Sequence, residues 1–294
     1  MDRPGMNDER RKDAPRGVAL PRIRWAAPGR GVRLLSPWLL LLLLCGCELV
    51  STVNAERMIV GTVLRTPPLT GADGTVVQEG LTGANVFWGE KEPGVDALTV
   101  PPVGIPGANV RVGILSSSGY AEVALTGQGD GNYRITSAEA PDLVYEVGAS
   151  YRVVVEDDRP EPWEIPDVEA PASEQPAGVP VPGVDPPHPA QTDLVVSRFG
   201  QDTAFLSVYR VTESGVDETW SNRPSDVQGL LAMVVDPSEW KATEFTVPGQ
   251  SAFPQPGFYA VVLTTVERGV AGPDLFAASS LFVGAGEVAP LEVQ

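Results

Sequence analysis

The alternation of apolar and polar residues is the feature that most constrains the fold of this chain. Val110, Val112 and Ile114 alternate with Asn109 and Arg111. Because successive side chains of a strand point to opposite faces of a sheet, this pattern predicts a half-buried antiparallel strand. The same alternation recurs at residues 121–125, 133–135, 151–155 and 204–209. A run that is apolar on both faces, at 258–266, predicts a central strand.

Four short motifs in the first part of the chain carry a family resemblance. They are Gly61-Thr62-Val63, Gly83-Ala84-Asn85-Val86, the Asp-Gly-x-Tyr-x-Ile segment 130–135, and the Tyr-x-Val segment 151–153. Over about residues 57–157 the chain resembles the carboxypeptidase-regulatory-like family. The resemblance implies a seven-strand β-sandwich, similar in layout to immunoglobulin domains. These are accessory modules of bacterial surface proteins, and the resemblance supplies no catalytic residue.

A proline-rich stretch divides the remaining sequence. Residues 160–189 hold ten prolines, which indicates a linker at 160–190 with polyproline II segments. The β-rich block that follows, 191–294, has the length and strand spacing of a second sandwich. We therefore predict an all-β protein with two immunoglobulin-like antiparallel β-sandwich domains, at 57–159 and 191–294. No cysteine follows Cys47, so packing rather than disulfides must stabilise both of them.

An apolar run before the first strand indicates an exported, lipid-anchored protein. Residues 34–44 carry no charge. This uncharged segment is too short for a membrane-spanning helix, but its length suits a signal peptide. The run ends in Leu44-Cys45-Gly46-Cys47, which resembles the bacterial lipoprotein lipobox. The resemblance implies cleavage before Cys47 and acylation of its sulfur. The predicted order is a signal peptide at 1–47, a tether at 48–56, and then the first domain.

The residues before this signal fit it poorly, because 1–31 mix acidic and basic side chains. We hypothesise that translation starts at Val32, which leaves Arg33 as the basic residue before the apolar run. Glu48 follows Cys47. In well-studied bacteria an Asp at that position favours inner-membrane retention, so Glu48 favours the outer membrane.

The net negative charge of the chain after Cys47 limits the kinds of partner that it can bind. Residues 48–294 hold 12 basic and 34 acidic residues, a net charge of −22. Such a surface repels phosphate backbones, so we expect no nucleic-acid binding. It is not attracted to anionic lipid either, so the acyl chains on Cys47 must hold the protein at the membrane.

The catalytic chemistry open to this chain is limited. His188 is the only histidine and stands between prolines, so no Ser–His or Cys–His pair and no histidine-based metal site is expected. The acidic residues between 161 and 169 lack the spacing of a calcium loop. A carboxylate pair acting on sugars stays open, although no pair stands out. We predict no cofactor, no metal site and no enzyme activity.

Binding is the chemistry that remains. Trp220 and Trp240 lie in polar surroundings, where exposed indoles could stack on sugars or anchor a protein partner. The alternative is that both rings cover the ends of the sandwich core. The sequence favours a non-catalytic envelope lipoprotein that presents β-sandwich modules to an envelope protein. A carbohydrate-binding surface module and a glycoside-type hydrolase are the two alternatives.

Overall fold

The computed structural model describes residues 57–294. The predicted signal peptide 1–47, its lipidation site Cys47 and the tether 48–56 lie outside the described residues. The strands are β1 Arg57–Thr66, β2 Leu69–Thr70, β3 Val76–Gln78, β4 Leu81–Glu90, β5 Val103–Gly104, β6 Asn109–Ser116, β7 Gly119–Ala124, β8 Thr126–Gly129, β9 Asn132–Thr136, β10 Ser150–Glu156, β11 Trp163–Glu169, β12 Leu194–Ser197, β13 Thr203–Thr212, β14 Gly215–Ser221, β15 Glu244–Val247, β16 Gly257–Val270 and β17 Ser280–Val293. The helices are α1 Val227–Val235, α2 Gly249–Ala252 and a 3₁₀ turn at Glu239–Lys241. The predicted all-β class is confirmed.

One nine-stranded sheet runs through both predicted domains. Its order is β14-β13-β16-β17-β1-β4-β9-β8, and β5 pairs with the outer end of β4. The pairs are antiparallel except that β1 runs parallel to β17, with Val60 opposite Ser280 and Arg65 opposite Ala285. The expectation of purely antiparallel pairing is therefore wrong for the pair β1–β17. The last strand of the chain lies next to the first and runs in the same direction.

A four-stranded sheet, β11-β10-β6-β7, packs on one face of the large sheet and encloses the first core. Trp88, Tyr151 and Leu281 are fully buried there. Of the predicted inward side chains, Ala121 is only partly buried. The others are buried as expected, at Val110, Val112, Ile114, Val123, Leu125, Tyr133, Ile135, Tyr151, Val153 and Val155. A two-residue hairpin turn, Asp130-Gly131, joins β8 to β9. Asp130 and Gly131 have φ of 48° and 72°, the two positive values that a type I′ turn requires.

The predicted linker 160–190 contains strand β11, which corrects that prediction. Ile165 and Val168 of β11 are buried in the first core. Pro166 is tolerated because β11 is an edge strand whose pairing with β10 shifts register between Tyr151 and Val153. Its proline content therefore concealed a strand.

The second core lies between the other end of the large sheet and the pair β12–β15 with helix α2. Phe253 and Tyr259 are fully buried in it, with ring centroids 5.4 Å apart. His188 is buried beside Phe253, and its backbone pairs with the end of β17 at Val293. Residue 188 is therefore part of the second core and not of a solvated linker.

Each of the two predicted domains, here called the first and second half, also packs one element against strands of the other. Leu69 of β2 lies in a cluster with Val211 and Val262 of the second half. Leu231 of α1 lies in a cluster with Met58 and Phe87 of the first half. All described residues belong to one unit by their contacts. The division into two domains stays a prediction that unfolding experiments must test.

Candidate functional site

A groove of about 510 Å³ crosses the face of the large sheet that points away from the first core. Its floor is formed by β1, β4 and β9, and the β8–β9 hairpin forms one rim. Its opposite wall is formed by residues 223–227 and by Leu230 of α1. It is larger than the cavity of about 410 Å³ beside Asp167 and Arg268. We take the groove as the candidate binding site.

Three polar side chains lie side by side on the groove floor. Thr62 of β1 is directly opposite Asn85 of β4, and Asn85 is directly opposite Arg134 of β9. Asn85 and Arg134 are exposed, and Thr62 is partly so. These three side chains make no hydrogen bond or ion pair within residues 57–294. Free amide, hydroxyl and guanidinium groups in a concave site are available to a ligand.

Apolar surface surrounds this polar row. Leu64 of β1 and Leu230 of α1 are half-buried, and Phe87 of β4 is almost fully buried beneath them. A ligand in the groove therefore meets both apolar contact surface and hydrogen-bonding groups. This combination is typical of binding sites in proteins.

The wall opposite the hairpin is fixed by the start of helix α1. Asp226 is the N-cap residue, and its Oδ1 accepts a hydrogen bond of 2.8 Å from the Gly229 amide. A Cβ at Gly229 would lie 3.1 Å from the Pro224 side chain, so glycine allows this proline to pack on the first turn. The wall is thus held in place by local contacts before any ligand is present.

Trp240 supports the base of the same wall. Its Nε1 donates a 2.9 Å hydrogen bond to the carbonyl oxygen of Asn222, and its ring packs beside Phe205 and Met233. The Asn222 side chain accepts a 2.7 Å bond from the Leu206 amide. Trp240 is therefore a half-buried structural residue in this arrangement.

Trp220 lies on the other face of the sheet from Trp240. It is opposite Val208 in the β13–β14 pair and packs against the second core. Since Trp240 packs with the separate cluster around Phe205, the structure does not bring the two predicted binding indoles together. A shared stacking platform made of both rings is absent from the described residues.

The charge of the groove differs from that of the rest of the surface. Residues 57–294 contain 12 basic and 32 acidic residues. The charged residues that line the groove are Arg134, Arg223 and Asp226, so basic side chains outnumber acidic ones there. The sequence pattern could have indicated Arg134, because the inward positions Tyr133 and Ile135 place it on the opposite face. It could not show that this face is left partly uncovered beside α1.

Other kinds of site find no support in the described residues. Between residues 57 and 294, no cluster of three or more His, Cys, Asp or Glu side chains has metal-binding geometry. In that same range, no helix has both the length and the apolar character needed to cross a membrane. His188 Nε2 lies 2.8 Å from the carbonyl oxygen of Thr192, so this ring is engaged in local structure.

Comparison with known proteins gives only distant similarities. No family model matches the chain, and no curated protein does. The resemblance to the carboxypeptidase-regulatory-like family therefore stays a prediction. Among solved structures, the FN1–FN3 domains of chicken CNTN1 align at 8 % identity and a TM-score of 0.24, covering 80 % of this chain and 68 % of that one. The chicken interferon gamma receptor alpha chain aligns at 9 % identity and 0.19, covering 72 % and 92 %.

A tetra-tandem repeat from the extending region of a large adhesion protein aligns at 13 % identity and a TM-score of 0.18. It covers 81 % of this chain and 67 % of that chain. These scores are low, and no conclusion about the function of this protein follows from them. The all-β class rests on the strands and cores described above.

Proposed function

We propose that this protein is a non-catalytic lipoprotein of the bacterial cell envelope that binds a protein partner through the groove beside α1. Cys47 carries the lipid anchor in this proposal, and the β-rich region is the scaffold that presents the groove. The observation that carries the proposal is the row Thr62, Asn85 and Arg134, whose polar groups have no partner within residues 57–294.

The scaffold suits such a role because the row lies on strands and not on loops. Strands β1 and β4 are ten residues long and pair along their whole length, which fixes the spacing of the floor side chains. A binding site on a rigid sheet loses little conformational entropy when its partner docks. The carbohydrate alternative has less support, since Trp220 and Trp240 lie in separate clusters.

The test is chemical crosslinking in intact cells followed by purification of the protein. We compare the wild type with Asn85→Tyr, which places a bulky ring in the groove at an exposed position. Thr246→Tyr is the matched control, because Thr246 is an exposed position on strand β15 outside the groove. We expect a distinct protein partner that Asn85→Tyr loses and Thr246→Tyr keeps.

The anchor is tested in the same cells with Cys47→Ser. We expect the variant to move from the membrane fraction to the soluble fraction. If Asn85→Tyr keeps every partner, the groove is not the binding site. If Cys47→Ser stays in the membrane fraction, the lipid anchor has been wrongly assigned.

A further inference from the structure

The arginine residues of the described chain differ in whether an acidic side chain neutralises them. Arg57 forms an ion pair of 2.7 Å with Glu90, and Arg198 forms one of 3.3 Å with Glu174. Arg111 is likewise paired, with Glu122 at 3.4 Å. Four of the ten arginines in residues 57–294 form such an ion pair, the fourth being Arg223.

Arg134 is one of the six arginines in residues 57–294 without an ion pair, and it is the one among them that lines the groove. Its cross-strand neighbours are Asn85 on β4 and Thr126 on β8, and neither carries a charge. Within residues 57–294 the guanidinium group has no carboxylate within ion-pair distance. The side chain is exposed and lines the groove.

Arg223 faces the groove from the opposite wall. Its carboxylate contact is Glu218 at 3.5 Å, and both side chains are well exposed, at 44 % and 37 %. Exposed pairs with this geometry are weak, so a ligand carboxylate can compete for the guanidinium group.

The one acidic residue of the groove lining is already engaged. Asp226 caps helix α1 through the Gly229 amide, and the positive end of the helix dipole offsets part of its charge. The groove is therefore a locally basic site on an acidic protein.

We propose that the groove selects an extended acidic segment of the partner protein, with Arg134 and Arg223 binding its carboxylates. This inference rests on the proposed function. Arginine binds carboxylates through paired, charge-assisted hydrogen bonds. Asn85 is placed to bond the backbone of the segment, and Leu64 and Leu230 contact its apolar side chains.

The probe is a library of short random peptides, selected on the purified full-length protein carrying Cys47→Ser. We expect enrichment of peptides rich in Asp and Glu. The double variant Arg134→Gln/Arg223→Gln should weaken their binding about tenfold or more, since each lost bond is to a charged group. Arg65→Gln is the control, because Arg65 is exposed and outside the groove.

A charge reversal separates recognition from folding. With Arg134→Glu, selection should shift toward peptides that carry Lys or Arg, while the far-UV circular dichroism spectrum stays that of the wild type. A purely structural role of Arg134 would not change the charge of the selected peptides.

The remaining outcomes contradict the inference in different ways. Selected peptides that are blocked by Asn85→Tyr but carry no acidic bias would overturn the acidic segment and leave the proposed function standing. If the protein is retained on alginate and no peptide is enriched, the ligand of the groove is an acidic polysaccharide and not an acidic peptide, which overturns the inference. If neither peptides nor cellular partners respond to Asn85→Tyr, the proposed function fails as well.

Discussion

Asn85 lies directly opposite Arg134 across strands β4 and β9, and within residues 57–294 neither side chain has a hydrogen-bond partner. Cross-strand neighbours commonly stabilise a sheet by interacting with each other or with the next strand. Here both are exposed and lie on the floor of a groove. The two side chains are therefore available to bind a ligand and contribute no hydrogen bond to the stability of the sheet.

Replacing Arg134 by Gln should therefore leave the free energy of unfolding within about 0.5 kcal/mol of the wild type. Arg198→Gln is the contrast, because the Arg198 side chain is fully buried against Glu174. Removing one partner of a buried ion pair leaves an uncompensated charge, and we expect a loss of about 3 kcal/mol or more. Urea unfolding measures both. An equal loss in the two variants would mean that Arg134 is a structural residue.

The two halves of the chain should unfold together. Leu281 of β17 is fully buried in the first core, although it lies in the second half of the sequence. We expect Leu281→Ala to cost about 2–5 kcal/mol and to shift one single transition, seen alike by tryptophan fluorescence and circular dichroism. Val184→Ala is the control, because Val184 is 79 % exposed. Two separate transitions would support independent domains at 57–159 and 191–294.

Trp240→Phe should destabilise the protein by about 1 kcal/mol, since it removes the hydrogen bond from Nε1 to the Asn222 carbonyl. Trp220→Phe keeps most of the packing against the second core and makes the matched comparison. Urea unfolding and retention on immobilised polysaccharide are measured for both. If either variant is no longer retained on the polysaccharide but is as stable as the wild type, that tryptophan binds sugar by stacking.

Asp157 should show a pKa below its ordinary value of 3.8. Burial raises the pKa of Asp157, but hydrogen bonds of 3.0 Å from the Arg159 amide and from Trp163 Nε1 outweigh it. Because the folded-state pKa is lowered, this carboxylate contributes stability above pH 3.8 that is lost as the pH falls through the folded-state value.

Trp163→Phe should move the Asp157 pKa back toward 3.8, as measured by NMR titration of the side-chain carboxyl. Asp236 is the internal control, because the Ser238 hydroxyl and amide lower its pKa and Trp163 is not involved. An unchanged Asp157 pKa in this variant would show that the indole bond does not stabilise the carboxylate.

The alternation of residues was enough to predict strands such as β6, β9 and β10 and their inward faces, but not the proline-containing strand β11. Val112, Tyr133 and Val153 are buried as their spacing indicates, and the Asp130-Gly131 turn follows from local backbone preferences. The parallel pairing of β1 with β17 was not predictable in this way. It joins residues more than 200 positions apart, and the period of a strand says nothing about its neighbour.

The site was harder to predict for a related reason. Arg134 can be assigned to an outward face from sequence, but only the position of helix α1 shows that this face becomes a groove. The polar sequence neighbours of Trp240 indicate an exposed ring, whereas the ring packs against the cluster around Phe205 from the turn at Glu239–Lys241. Burial of a tryptophan depends on contacts that its sequence neighbours do not reveal.

Photo-crosslinking from the groove in living cells tests directly whether the groove binds a protein partner. A photoreactive phenylalanine analogue replaces Gln128, an exposed groove residue, or Val184, an exposed residue outside the groove. We expect one distinct protein adduct from position 128 that is absent from position 184 and is lost with Arg134→Gln/Arg223→Gln. The same adducts from both positions, or none from position 128, would contradict this expectation.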